Sequence, residues 1–226
     1  MPVLTIASSK GGPGKTTVAM LLAGSLAGEG LRVVALDADP TQAFARWAAN
    51  TYEGAAFESH AEADETRLAH LIDSTVSGAD VVIVDTAGFG NRAAAVAMTS
   101  ADVVLVPALS GEADITEAEK TVRLAEGLAR AARRDIPTAV LLNRVRRTTQ
   151  LARHAAQEIE TARLPRLETS LSDLVAYGEL SYSGRIPTTG IAATEIAALL
   201  AELRTNGWLP EPIRQHQGSA ISHEAS

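Results

Sequence analysis

The sequence predicts an α/β fold: a mostly parallel sheet with helices on both faces. Short runs of continuous apolar residues alternate with helical patterns along most of the chain, as expected when strands are buried on both sides. The chemically distinctive residues fall directly after those runs: Lys10–Thr17, Asp37 and Asp39, Asp85, and Asn143 with Arg144. Parallel sheets bind ligands there, at the carboxyl ends of their strands. Neither an internal repeat nor a low-complexity linker interrupts the pattern. The 226 residues therefore suit one domain over 1–209, followed by a polar tail over 210–226 expected to be disordered.

Taken in order, Val3–Ala7 is the first strand and Thr16–Ala27 a helix closed by Gly28 and Gly30. Arg32–Leu36 is the second strand. Pro40 suits the start of the next helix, which runs from Gln42 to Ala49 with Phe44 and Trp47 at helical spacing. A short strand at Ala56–Ser59 and a helix at Asp64–Val76 follow. Asp80–Val84 and Asp102–Pro107 are buried strands flanking a short helix at Arg92–Thr99. Glu112–Arg133 is a long amphipathic helix, and Pro137–Leu142 a strand. The remainder gives helices at Thr149–Thr161, Ser172–Leu180 and Thr189–Arg204, with a brief strand at Arg166–Thr169.

Composition narrows the chemistry. Hydrophobic residues make up 46% and aromatics only 4%, so the core must be built from Ala, Val, Leu and Ile. Cysteine is absent, which excludes disulfides, thiolate metal sites and cysteine nucleophiles. No apolar run reaches the roughly 18 residues of a membrane span, and the chain opens directly on a strand without a signal-peptide pattern. A soluble, cytoplasmic protein is expected. Charge is uneven: residues 1–119 hold 6 Lys/Arg against 16 Asp/Glu, whereas 120–166 hold 11 against 4. The basic segment is almost entirely arginine. It serves either as a set of solvated helix faces or as a face for a polyanion.

Ser8-Ser9-Lys10-Gly11-Gly12-Pro13-Gly14-Lys15-Thr16-Thr17 sits between a buried strand and a helix N-terminus. That is the setting of a phosphate-binding loop, where glycines let backbone N–H groups turn inward and the helix dipole favours an anion. In the pattern G-x-x-x-x-G-K-[ST], Lys15 neutralises β- and γ-phosphates and the Thr16 hydroxyl reaches Mg²⁺. Ser9 stands where that pattern has glycine, and the loop carries a second lysine, Lys10. Pro13 removes one backbone donor; it either weakens phosphate binding or merely stiffens the loop. Asp85 has the context of a metal-holding carboxylate, Asp39 could orient an attacking water, and Asp37 could support the metal shell. Each aspartate alone is as well explained by a turn or helix cap. Three of them beside one phosphate loop point instead to phosphoryl transfer.

Lys10–Thr17, with two lysines, resembles the deviant Walker A loop of the ParA/MinD ATPases, a branch of the P-loop NTPases. Asp37-Ala38-Asp39-Pro40-Thr41-Gln42 resembles their switch I, and Val81–Asp85 with Thr86 and Gly88 their Walker B and switch II. The resemblance runs to about residue 205 and is greatest to the short ParA type. It implies an ATP/ADP-binding, Mg²⁺-dependent homodimer with slow, partner-stimulated hydrolysis. Gly11, Gly12, Pro13, Gly14, Lys15, Thr16 and Thr17 would cradle phosphate. Lys10 would cross to the partner subunit's phosphates, Thr16 and Asp85 would hold the metal, Asp39 the water, and Asn143 the adenine.

The implied role is ATP-dependent, non-specific DNA binding in plasmid or chromosome partitioning, with a ParB-like adaptor as activator. Arg144, Arg146 and Arg147 are the candidate DNA contacts. Ser172-Asp173, where the family often has a basic residue, counts against a DNA role for that stretch. A second function of another class is a nucleotide-switched scaffold that positions a protein cargo, or assists conjugative DNA transfer, without retaining DNA. A third, a P-loop metabolic enzyme such as a small-molecule kinase or amide-forming ligase, lacks a His or carboxylate cluster for a second substrate. The five histidines have no metal-ligand spacing. Glu211–Ser226 carries no apolar stripe, which disfavours membrane docking.

Overall fold

The computed structural model describes residues 2–75, 77–88 and 90–212. Six strands, β1 (Val3–Ile6), β2 (Val33–Ala38), β3 (Glu58–Ala61), β4 (Val81–Thr86), β5 (Val103–Ala108) and β6 (Thr138–Leu142), form one sheet in the order β3-β2-β4-β1-β5-β6. Every pairing is parallel, as the continuous apolar runs require. Strand alternation divides the core between the two faces. Leu4, Ile6, Ile83, Leu105 and Leu141 point to one face, under α1 (Lys15–Gly28), α2 (Ala43–Asn50), α7 (Val175–Ser183) and α8 (Gly190–Thr205). Val82, Val84, Val104, Val106 and Val140 point to the other, under α3 (Glu65–Thr75), α4 (Arg92–Ser100), α5 (Glu112–Ala132) and α6 (Gln150–Thr161).

Central α1 shows why amphipathicity is a poor guide here. It lies between the sheet and α7/α8, so the consecutive residues Val18, Ala19, Met20 and Leu21, which point in all directions around the helix, are all buried. The aromatics cluster beside it: Phe44, Trp47, Tyr52 and Phe57 pack as tilted pairs at centroid separations of 4.9–6.1 Å. The Trp47 indole N–H donates to the Leu180 carbonyl at 2.9 Å, fastening α2 to α7. Gly184 closes α7 in the left-handed region at φ 67°, where a β-carbon would lie 1.8 Å from the Thr51 carbonyl oxygen. Only glycine fits that approach.

Two expected elements differ. The strand expected at Arg166–Thr169 reduces to a single bridge between Val140 and Arg166. The Glu168 and Thr169 N–H groups donate instead to the Glu202 carboxylate of α8, at 2.6 and 2.8 Å, which draws the chain off the sheet edge. The helix expected from Ser172 begins at Val175, because Ser172 is held extended in a bridge to Val145, whose carbonyl accepts the Asp173 N–H. Expected strands and helices elsewhere agree within a few residues. The end of the helix expected to reach Val76, and residues 213–226 of the tail, lie outside the described residues.

Candidate functional site

The loop between β1 and α1 turns at Gly12 and Gly14, whose φ values of 96° and 93° lie in the left-handed region. Side chains rarely adopt that region, so the glycine spacing is a backbone requirement. Gly14 is doubly constrained, since a β-carbon there would lie 2.2 Å from Nδ2 of Asn143. That amide donates to the Pro13 carbonyl at 2.8 Å, while its Oδ1 accepts the Arg144 N–H at 2.9 Å. Asn143, buried at the end of β6, therefore fastens the far limb of the loop.

The near limb is held by α5. The Ser9 N–H donates to the Thr121 hydroxyl, and the Ser9 hydroxyl reaches the Glu117 carbonyl and carboxylate, all within 2.9 Å. The next side chain, Lys10, pairs with Asp114 at 3.0 Å and remains half exposed. Asp114, Glu117 and Thr121 follow one another at helical spacing along a single face of α5. Ser9, which departs from the usual glycine, is thus the residue that docks the loop on this helix.

Lys15 is buried, and its ammonium donates to the Ser8 hydroxyl at 3.1 Å and the Lys10 carbonyl at 3.3 Å. It thereby curls under the loop, towards the space its backbone encloses. Burial pushes its pKa down, whereas the charges of Asp85 and Asp39 pull it back up. Thr16 donates from its hydroxyl to Oδ2 of Asp85 at 2.7 Å. Asp85 is 1% exposed and its Oδ1 has no hydrogen-bond partner among the described residues. Burial pushes this carboxyl up to about 7, the Thr16 bond opposing it and nearby Asp37 adding to it. An orphaned, desolvated carboxylate oxygen next to a threonine hydroxyl is a hard-oxygen donor set suited to Mg²⁺.

Asp37 stands beside Asp85 in the β2–β4 register. Both of its oxygens are occupied: Oδ1 accepts the Asp39 N–H at 3.0 Å and Oδ2 the Ala45 N–H at 2.9 Å. Its clear structural role is to set the turn that carries Asp39 and to cap the first turn of α2. Burial pushes its pKa up, against those backbone donors. Asp39 is half-buried and accepts the Thr41 N–H. Gly88 packs against the Lys10 and Gly11 backbone, 3.8 Å from where its β-carbon would be. No group of three or more His, Cys, Asp or Glu among the described residues forms a ready metal cage. Mg²⁺ is commonly held by one or two protein oxygens together with phosphate and water, so the arrangement fits.

Beyond Gly14 the loop opens into a cleft of about 460 Å³, lined by Gly12, Gly14, Thr17, Asn143, Ser172 and Tyr177, among others. The arginines expected to face DNA lie along this region. Arg144 and Arg146 both pair with Asp173, at 3.4 and 3.0 Å, and Arg147 pairs with Glu195 at 2.8 Å. Three guanidiniums thus share two carboxylates, which leaves one positive charge of the cluster over. The sequence reading passed over Asp114, Glu117, Thr121, Tyr177 and Glu195. A signal existed for Glu195, an acid on the apolar stripe of Ala192, Ile196, Leu199 and Leu203.

A glycine loop, a buried lysine and an orphaned carboxylate at the carboxyl edge of a parallel sheet define a P-loop NTPase. Comparison with known proteins agrees. A family model described as VirC1 protein matches residues 1–206. "Protein virC1" of Rhizobium radiobacter is 32% identical over 196 residues, covering 84% of each chain. "Protein ParA" of the same organism is 33% identical over 145 residues, 64% of this chain and 65% of that one. The solved septum site-determining protein MinD of Pyrococcus horikoshii OT3, complexed with Mg-ADP, shares the fold. Its TM-score is 0.71 at 20% identity, covering 91% of this chain and 97% of that one. The chain belongs to the VirC1 family, and its fold is that of the ParA/MinD type of P-loop ATPases.

Proposed function

We propose that the protein is a nucleotide-switched ATPase that binds ATP and Mg²⁺, pairs with a second copy, and is reset by hydrolysis. The observation that carries this reading is the buried Asp85 carboxylate, with one oxygen on the Thr16 hydroxyl and the other unpartnered, directly beside Lys15. Lys15, with the N–H groups of Gly11, Gly12, Gly14, Thr16 and Thr17, receives the phosphates, and the α1 dipole adds to their attraction. Thr16 and Asp85 are the ligands offered to Mg²⁺, with Asp37 behind them. Bound Mg²⁺ would supply neutralisation of charge developing on the phosphates. Asp39, on its turn above Asp37, orients the attacking water. Asn143 has a dual place, fastening the loop and facing the cleft that takes the adenine. Lys10 is the group that reaches a partner subunit's phosphates, with Asp114 as its station in the single chain.

Slow turnover is expected, because P-loop switches commonly need an activator to complete the site; a ParB-like adaptor is the candidate. Among the described residues no helix is long and apolar enough to cross a membrane. We place the protein in the cytoplasm, the nucleoid if DNA is held, and assign it to partitioning of DNA. In this reading the dimer holds DNA non-specifically through Arg144, Arg146 and Arg147. The pairing of those three with Asp173 and Glu195 favours a second reading, a switched scaffold that positions a protein cargo or assists conjugative transfer without retaining DNA.

Sizing the protein with ADP and with ATP tests the switch: ATP should double its mass and ADP should not. A single mass with both nucleotides refutes it. Retention on DNA with ATP, measured between low and moderate salt, then separates the two readings. Non-specific phosphate contacts fade steeply with salt, and Arg146→Glu should abolish them while ATP hydrolysis persists. Arg147 is a poor choice for that experiment because it also neutralises buried Glu195.

A further inference from the structure

A carboxylate on the apolar stripe of a buried helix is costly unless donors compensate it, and an apolar side chain there would commonly stabilise as well or better. Glu195 is 5% exposed and collects four donors. The Ser172 N–H and hydroxyl lie at 2.9 and 2.5 Å, the Tyr177 hydroxyl at 2.9 Å, and the Arg147 guanidinium at 2.8 Å. Ser172 and Tyr177 are themselves walls of the cleft that opens from Gly14, Thr17 and Asn143. The same wall is held from the other side by backbone bonds to Val145, from Val145 N–H to the Leu171 carbonyl and from Asp173 N–H to the Val145 carbonyl. One carboxylate on α8 thus completes, with those backbone bonds, the hold on a segment that faces Asn143 across the cleft, and it does so without touching the phosphate loop.

We propose that Glu195 is a positioning residue for the base of the bound nucleotide. It holds Ser172 and Tyr177 so that the cleft presents a preformed slot for a flat purine, and it has no part in holding phosphate. This rests on the nucleotide reading above. Preorganisation of this kind raises affinity by removing the ordering cost from the binding step. The contribution should therefore appear only with ligands that carry a base.

The test compares ADP with inorganic tripolyphosphate, both with Mg²⁺, by calorimetric titration of the full chain. Glu195→Gln keeps the volume but offers an amide where the carboxylate met Arg147. It should weaken ADP roughly tenfold, the loss expected for a charged hydrogen bond, and leave tripolyphosphate within about twofold. Tyr177→Phe removes one donor without altering charge, and should weaken ADP by about threefold with the same indifference to tripolyphosphate. It decides the matter if Glu195→Gln does not fold. Equal losses for both ligands, or no loss for ADP, overturn the proposal and leave Glu195 as a fold element only. Wild-type protein that binds neither ligand refutes the nucleotide reading itself, a result distinguishable from either.

Discussion

Replacing Asn143 with alanine separates two roles that one residue can hold. In the structure its amide donates to the Pro13 carbonyl at 2.8 Å and its carbonyl accepts the Arg144 N–H at 2.9 Å, and the residue is 4% exposed. Alanine strands both backbone groups. A buried group left without a partner costs about 1–3 kcal/mol. Water entering from the cleft beside Gly14 can satisfy part of that need, so the low end applies and the sum is about 2 kcal/mol. For a chain of this size such a loss lowers the melting temperature by roughly 4–8 °C.

The assay is thermal unfolding of the protein without nucleotide, followed by circular dichroism. A residue that serves only to touch a base would leave that melting temperature unchanged, so a shift below about 1 °C refutes the loop-fastening role. Asn143→Asp sharpens the result. It keeps an acceptor for Arg144 but sets a second acceptor against the Pro13 carbonyl, so it should destabilise at least as much as alanine. An aspartate variant as stable as wild type would refute the donor assignment on its own.

Further outcomes follow from other parts of the site. Lys15→Ala should abolish ADP binding in calorimetry, because it removes the one buried cation within the phosphate loop. Asp39→Ala should retain ATP and be dimeric with it if, as proposed, Asp39 serves water placement alone; a monomer with ATP in size-exclusion chromatography contradicts the assignment. Gly184→Ala should cost about 3 kcal/mol or more in urea unfolding, because φ 67° and a 1.8 Å approach to the Thr51 carbonyl forbid a β-carbon. Burial alone would raise the Glu195 carboxyl, but bonds from Ser172, Tyr177 and Arg147 outweigh it and hold the pKa below its ordinary value of 4.5. A depressed folded-state pKa gives stability present above the unfolded value and lost as pH falls through the folded one. Stability of wild type should therefore fall more steeply than that of Glu195→Gln between about pH 5 and pH 3.

Continuous apolar runs such as Val81–Val84 made the parallel strands legible, since nothing but two-sided burial requires them. The loop was legible because Gly12 and Gly14 serve backbone geometry that few other residues allow. What the sequence withheld is long-range partnership. Ser9 looks like a defect until Glu117 and Thr121, more than a hundred residues away, are seen to receive it. Arg147 looks like a surface cation until Glu195 is placed beneath it. Asp37 reads from sequence only as a carboxylate near the metal, whereas its oxygens also accept the Asp39 and Ala45 N–H groups and so shape the turn. Local pattern reports what a residue can do, whereas distant contacts decide what it is already doing.

Those partnerships also explain how a loop rich in glycine keeps its shape. Glycine maximises the backbone entropy that ordering must overcome, and the anchors bracket Gly11 and Gly12. Ser9 is fixed to α5 on the near side and Pro13 to Asn143 on the far side. Pro13 contributes through its own rigidity, and the N–H it lacks is not one the fastening needs, because its carbonyl makes the bond. Lys10 differs from both anchors. Its ion pair with Asp114 is half exposed, and such pairs contribute at most about 1 kcal/mol. The main chain of the loop is thus held by buried hydrogen bonds while this one side chain is held weakly. On the proposed role for Lys10, exchange of Asp114 for a partner's phosphate would leave the cradle around Lys15 undisturbed.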